Sequence, residues 1–310
     1  TILGGDAPVR RQLPEAALAR KIPFDYVASD GMRVHGYLLL PPGVDPARAP
    51  LVAQVHGGPS NHFSPGYDGV AQLLANRGYA VLQPNFRGST GFGKGFTNAG
   101  NGEWGAKMHD DLVDAVKWAV DAGYADPAKV AIMGGSYGGY ATLAGLTFTP
   151  DQFACGVDIV GPSNLQTLLS TVPPYWESFR KQLIARMGDP DTPDGQKWLK
   201  ERSPLTHADR IKKPLLIGQG ANDPRVKQAE SDQIVAAMQA KNIPVTYVLF
   251  PDEGHGFARP ENNIAFMAVA ENFLSKCLGG RAEPIGGTVK ASTAKVLHGA
   301  EYAPGLKAAM

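Results

Sequence analysis

Gly134-Gly135-Ser136-Tyr137-Gly138 sets a serine between glycines two residues away on either side. A strand that turns sharply into a helix needs that spacing, because glycines let the backbone fold back without a Cβ clash and leave the serine oxygen exposed. A serine hydroxyl becomes a useful nucleophile only when an imidazole takes its proton and an acid holds the imidazole's tautomer. The order nucleophile, acid, histidine, each in a loop after a strand, is met by Ser136, Asp223 and His255. Asp223 follows the strand-like run Pro214–Ile217 in the loop Gln219-Gly220-Ala221-Asn222-Asp223-Pro224. His255 follows Val245–Phe250 in Pro251-Asp252-Glu253-Gly254-His255-Gly256. Asp252 competes for the acid role but shares the histidine's own loop. None of the other histidines, His35, His56, His62, His109, His207 and His298, follows a late strand in a Gly-flanked loop.

Acyl transfer at a serine develops charge on the substrate oxygen, which needs two N–H donors. The backbone N–H of Tyr137, just after the nucleophile, is one candidate. The N–H of Gly58, in His56-Gly57-Gly58-Pro59 after the strand Leu51–Val55, is the other. Gly88-Ser89-Thr90-Gly91-Phe92-Gly93-Lys94-Gly95 nearly matches a phosphate-binding loop. Gly95 stands where a Mg²⁺-binding hydroxyl is required, and further glycines precede any helix, so a loop beside the active site is expected instead. Asp110 and Asp111 lie on an amphipathic helix and are read as structural or solvated.

These residues need a scaffold, and the chain supplies an α/β pattern from about residue 23 to 278. Phe24–Ser29 and Met32–Leu40, joined by Asp30-Gly31, read as an antiparallel edge hairpin. Continuous apolar runs at Leu51–Val55, Tyr79–Leu82, Lys129–Met133, Phe153–Val160, Pro214–Ile217 and Val245–Phe250 read as parallel strands buried on both faces. Trp104, Met108, Leu112, Val116 and Val120 recur every four residues, and Val226–Lys241 and Glu261–Cys277 form similar helical stripes. Residues 162–210 break this rhythm and are expected to wall a pocket above the sheet. Tyr175, Trp176 and Val226 are proposed to form an apolar slot for the residue before the scissile bond; the competing reading packs the aromatics into the core. Residues 1–20 read as a linker or remnant of an upstream domain, 21–280 as the catalytic domain, and 281–310 as an aperiodic tail.

The balance of 30 basic against 29 acidic residues, without a basic stripe, argues against nucleic acid as partner. No apolar run approaches the roughly 20 residues that span a bilayer, so no membrane span is expected. Cys155 and Cys277 sit in no metal-ligand spacing and are read as buried free thiols. A structural zinc site is therefore not expected. The chain begins at Thr1 with no signal-peptide pattern, which leaves a cytoplasmic or periplasmic location, and homo-oligomerisation, open.

Together, His56–Pro59, Asn85–Gly95, Gly134–Tyr140, Gly220–Val226 and Asp252–Phe257 resemble the prolyl oligopeptidase family (S9) of serine peptidases. The likeness is nearest to its acylaminoacyl-peptidase-like and bacterial dipeptidyl-peptidase-like branches. The resemblance implies an α/β-hydrolase fold, Ser136, Asp223 and His255 as the triad, and Gly58 with Tyr137 as the oxyanion hole. It also implies hydrolysis of short peptides or N-blocked amino acids without a metal or organic cofactor. Relatives of this type carry an upstream β-propeller that filters substrate size; either such a propeller precedes residue 1 here, or the chain is a free-standing relative with an open site. His56 stands where other branches carry a tyrosine, so that side-chain donor does not transfer. A carboxylesterase on the same triad is the nearest alternative, and a non-catalytic binding module a more distant one.

Overall fold

The computed structural model describes residues 18–310, so the linker expected over residues 1–20 lies, up to residue 17, outside the described residues. Nine strands follow along the chain: β1 (Lys21–Val27), β2 (Arg33–Leu39), β3 (Leu51–Val55), β4 (Ala80–Asn85), β5 (Val130–Gly135), β6 (Cys155–Ile159), β7 (Leu215–Gly220), β8 (Val245–Phe250) and β9 (Lys295–His298). They form one sheet in the order β1-β2-β4-β3-β5-β6-β7-β8-β9. The central six, β3 to β8, are mutually parallel. The expected hairpin β1–β2 adds antiparallel at one edge and β9 at the other.

The helices, in chain order, are α1 (Gly69–Asn76), α2 (Lys94–Asn98), α3 (Lys107–Asp121), α4 (Tyr137–Phe148), α5 (Leu165–Ser170), α6 (Glu177–Arg186), α7 (Pro193–Glu201), α8 (Gln228–Gln239), α9 (Pro260–Leu278) and α10 (Leu306–Ala309). Alternate residues of each central strand face opposite layers. Val130 and Ile132 join a core with α3, α4 and α8, whereas Ala131 and Met133 join a second core with α1 and α9. The expected stripe on α3 is realised by Met108, Leu112 and Val116, with Ala115 and Ala119 closing onto the sheet. Burying each larger side chain contributes about 1.5–3 kcal/mol. α4 is buried along nearly its whole length, which its apolar residues on all sides permit.

Two expectations are corrected. Residues 281–310 are no free tail: β9 extends the sheet, and Ile285, Val289, Ala303, Leu306 and Ala309 are buried in the second core. Their apolar residues come singly between turns, and β9 has only four residues, so no period of two or 3.6 could register. Cys155 and Cys277 are joined as a disulfide with a Cα–Cα distance of 6.5 Å. The start of β6 and the end of α9 meet only in three dimensions, 122 residues apart.

The chain leaves β3 for β4 on one side, then crosses to β5 on the other. The loops after β3 and β5 therefore diverge at the carboxyl edge of the sheet, where ligands settle in open α/β folds. Those two loops carry Gly57-Gly58 and Ser136. Among the described residues, no helix is long and apolar enough to cross a membrane.

Candidate active site

Ser136 stands at the junction of β5 and α4 with φ 57° and ψ −115°, a left-handed conformation that costs a non-glycine residue of order 1–3 kcal/mol. The flanking glycines make this turn feasible. A Cβ on Gly134 would lie 2.5 Å from the Val55 carbonyl oxygen and 2.6 Å from the Cα of Gly138, and one on Gly138 would lie 2.2 Å from that same oxygen. The turn is thus pressed against the end of β3. The Ser136 N–H donates to the Ile159 carbonyl at 2.9 Å, which ties it to β6 as well. Ser136 caps α4, whose N-terminal dipole favours negative charge beside it.

Asp223 and His255 arrive from the loops after β7 and β8. His255 Nε2 lies 2.9 Å from Ser136 Oγ, and His255 Nδ1 lies 2.7 Å from Asp223 Oδ2. The carboxylate side chain is fully buried and the imidazole 17% exposed. Asp223 Oδ1 accepts from the N–H groups of Arg225 and Val226 at 2.8 and 2.9 Å. Both carboxylate oxygens are therefore occupied, which offsets the penalty of burying the charge. With Asp223 on Nδ1, the neutral ring carries its proton there and leaves Nε2 free to accept from the serine. The two loops are also joined: Asn222 N–H donates to the Glu253 carbonyl at 2.9 Å. The buried Glu253 carboxylate gathers the N–H groups of Ala258 and Arg259. Asp252, the competing acid, instead pairs with Arg259 and Thr293 away from the imidazole.

Gly58 and Tyr137 border the same crevice as Ser136 and His255. Among the described residues neither backbone N–H has a partner. Next to them His56, only 7% exposed, stacks on Phe86 with ring centroids 4.5 Å apart. Its Nδ1–H donates to the Gly57 carbonyl at 2.7 Å, while Nε2 accepts from the Ser89 hydroxyl at 2.8 Å. Burial draws its pKa down to about 4, so the ring is neutral near pH 7. The phosphate-loop lookalike after β4 thus holds the loop after β3 through Ser89. Upstream in the same motif, the guanidinium of Arg87 forks onto Asp111 and Asp30. That pins the motif to α3 and gives Asp111 its structural role.

The crevice is a cleft of about 120 Å³. Its apolar walls come from Trp104, Leu168, Phe179, Leu183 and Val226. The insertion does wall the site, but with different residues from those expected. Val226 lines the cleft, whereas Tyr175 and Trp176 do not. Tyr175 is 76% exposed, in a short 3-10 turn ahead of α6. Phe179 and Leu183, four residues apart on one face of α6, take the places assigned to them. That spacing is legible in the sequence and passes unnoticed beside the more conspicuous aromatic pair. Arg225 was also missed; it borders the cleft, is exposed, and makes no side-chain hydrogen bond or ion pair among the described residues.

Residues 65–281 match the model of the prolyl oligopeptidase family. The chain is 68% identical over 308 residues to dipeptidyl aminopeptidase BIII of Pseudoxanthomonas mexicana, covering 97% of this chain and 45% of that protein. It is 52% identical to dipeptidyl peptidase family member 6 of Caenorhabditis elegans, covering 89% and 40%. Among solved structures it is similar to a puromycin-hydrolyzing peptidase of Mycobacterium tuberculosis, with a TM-score of 0.82 at 32% identity, covering 87% of this chain and 41% of that one. The chain spans less than half the length of these relatives. The α/β-hydrolase fold, the ordered motifs meeting at one crevice and these matches carry one conclusion: the chain belongs to the prolyl oligopeptidase family of peptidases.

Proposed function

We propose that this chain is a serine peptidase that hydrolyses short peptides or N-blocked amino acids through an acyl-enzyme on Ser136. The observation that carries this reading is the hydrogen-bond chain from Ser136 Oγ to His255 Nε2, and from His255 Nδ1 to Asp223. Ser136 Oγ attacks the scissile carbonyl as His255 Nε2 takes its proton. The N–H groups of Gly58 and Tyr137 receive the developing oxyanion, a contribution of about 10²–10³ in rate for each such donor. His255 then returns the proton to the leaving amine. A water attacks the acyl-enzyme by the same route in reverse, freeing Ser136. Apart from Arg225 at its border, the side-chain walls of the cleft beside the nucleophile are apolar, and among the described residues no carboxylate lines it to receive a basic side chain. It therefore suits an uncharged side chain on the residue whose carbonyl is attacked.

The relative at 68% identity is named a dipeptidyl aminopeptidase, which supports release of dipeptides from peptide amino termini as the preferred activity. The acylamino-acid-releasing enzymes stand further off, the human one at 30% identity. A panel of dipeptidyl and N-acetyl-aminoacyl p-nitroanilides, with p-nitrophenyl esters alongside, tests the reading. Ser136→Ala is expected to lose about 10⁶ in kcat while keeping the wild-type fold by circular dichroism. Wild-type turnover confined to the esters would replace the peptidase by an esterase, and undiminished turnover in the variant would remove Ser136 from the reaction.

A further inference from the structure

We infer that Glu230 is a positioning residue that sets the width of the apolar slot beside Ser136, and through it the preference for the residue whose carbonyl is attacked. The inference rests on the serine-peptidase reading and extends it to specificity. Glu230 sits in the first turn of α8 and is only 1% exposed. Its Oε2 accepts from the backbone N–H groups of Ser163 and Asn164 at 3.0 and 2.8 Å, and from Gln233 Nε2 at 3.1 Å. Its Oε1 accepts from the Thr167 hydroxyl. The Ser163 hydroxyl donates to the Glu230 backbone carbonyl at 2.6 Å.

Placement on the chain gives this cluster its meaning. Pro162 and Leu168, immediately before and after the gripped segment, line one wall of the cleft. Arg225 and Val226, just ahead of α8, line the other, with their N–H groups on Asp223. Glu230 is thus the polar junction that joins the insertion to the acid loop. A buried carboxylate is costly unless donors converge on it. Here it satisfies two N–H groups just ahead of α5, those of Ser163 and the N-cap Asn164, that would otherwise lack a partner. An apolar residue of equal size would pack there and grip nothing. The far side of the segment is anchored separately, by Leu165 N–H on Ser203 Oγ at 2.8 Å and Leu205 N–H on the Ser163 carbonyl at 2.9 Å. Loss of Glu230 therefore loosens the wall without detaching it.

The test compares kcat/KM for dipeptidyl p-nitroanilides ending in Ala, Val, Leu and Phe. Glu230→Ala is expected to raise the Phe-to-Ala ratio at least about tenfold, carried by KM, since slot walls discriminate side chains on that scale. Glu230→Gln, which keeps one acceptor, stays within about threefold of wild type, and Thr167→Val shifts the ratio the same way by less. A Phe-to-Ala ratio within twofold of wild type in Glu230→Ala, or a fall shared equally by all four substrates, overturns the assignment. Should Glu230→Ala fail to fold, Thr167→Val decides it by the same ratio. Fluorophosphonate labelling of the wild type tests the hydrolase reading separately: a chain left unlabelled at Ser136 ends that reading and the slot assignment with it, whereas a labelled chain with an unmoved ratio ends only the role of Glu230.

Discussion

The proposed oxyanion donor at Gly58 is aimed by a residue that never touches substrate, and His56→Ala isolates the effect. The carbonyl of Gly57 and the N–H of Gly58 belong to one planar peptide unit and point in opposite directions. Holding the carbonyl therefore aims the N–H. His56 Nδ1–H holds it at 2.7 Å, and the Ser89 hydroxyl at 2.8 Å from Nε2 fixes the tautomer that makes this donation available. Losing the grip costs at least one hydrogen bond of positioning, about 1 kcal/mol or fivefold. It costs at most the whole donor, about 10²–10³. We expect kcat to fall about 10–100-fold with KM within about threefold, because the donor acts on the transition state more than on the bound substrate. Ser89→Ala should fall less, and the double variant should be no worse than His56→Ala, since both act through one peptide. A second readout is stability. With its pKa drawn from 6.5 to about 4 by burial, His56 is neutral in the folded chain where the unfolded chain binds a proton. Its contribution is full above pH 6.5 and is lost as pH falls towards 4, a span of about 3 kcal/mol that His56→Ala removes. A kcat within twofold of wild type in the folded variant would refute the reasoning.

Asp158, on β6 beneath α4, is fully buried, and burial holds its pKa well above 3.8 although Gly161 N–H donates to Oδ1 at 2.9 Å. Between 3.8 and that raised value the folded chain keeps a proton the unfolded chain has lost, so stability is greatest below 3.8 and falls as pH rises through the window. Asp158→Asn should therefore raise Tm at pH 8 and leave it nearly unchanged at pH 4; equal shifts at both would contradict this. Reducing Cys155–Cys277 opens a link across 122 residues, worth about 5 kcal/mol in a chain-entropy account, and should lower the urea midpoint. Non-reducing peptide mapping that finds both thiols free would remove the linkage itself.

The residues of the proposed triad were legible as candidates because each sits in a local pattern with a mechanical reason: Gly134 and Gly138 permit the turn at Ser136, and Asp223 and His255 each follow a buried apolar strand. The edge hairpin and the buried parallel strands were legible in the same runs, whereas the strand order, with its crevice between the ends of β3 and β5, is set by pairings between distant segments. What escaped notice depends on contacts between distant segments. Nothing in the neighbours of Glu230 or Ser89 tells that one grips Ser163 and Asn164 and the other holds His56. The Cys155–Cys277 pairing and the packing of Ile285, Val289 and Leu306 against α9 are equally invisible along the chain. Tyr175 misled because aromatic bulk suggests burial, while a Pro-rich turn leaves it in solvent.

The most direct measurement is intact-mass and peptide-level mapping of the chain after reaction with a fluorophosphonate. Deprotonation of Ser136 by His255 predicts one adduct per chain, on Ser136, lost in Ser136→Ala and slowed by orders of magnitude in His255→Ala. An adduct on another residue, or labelling of Ser136 at the wild-type rate without His255, would contradict it.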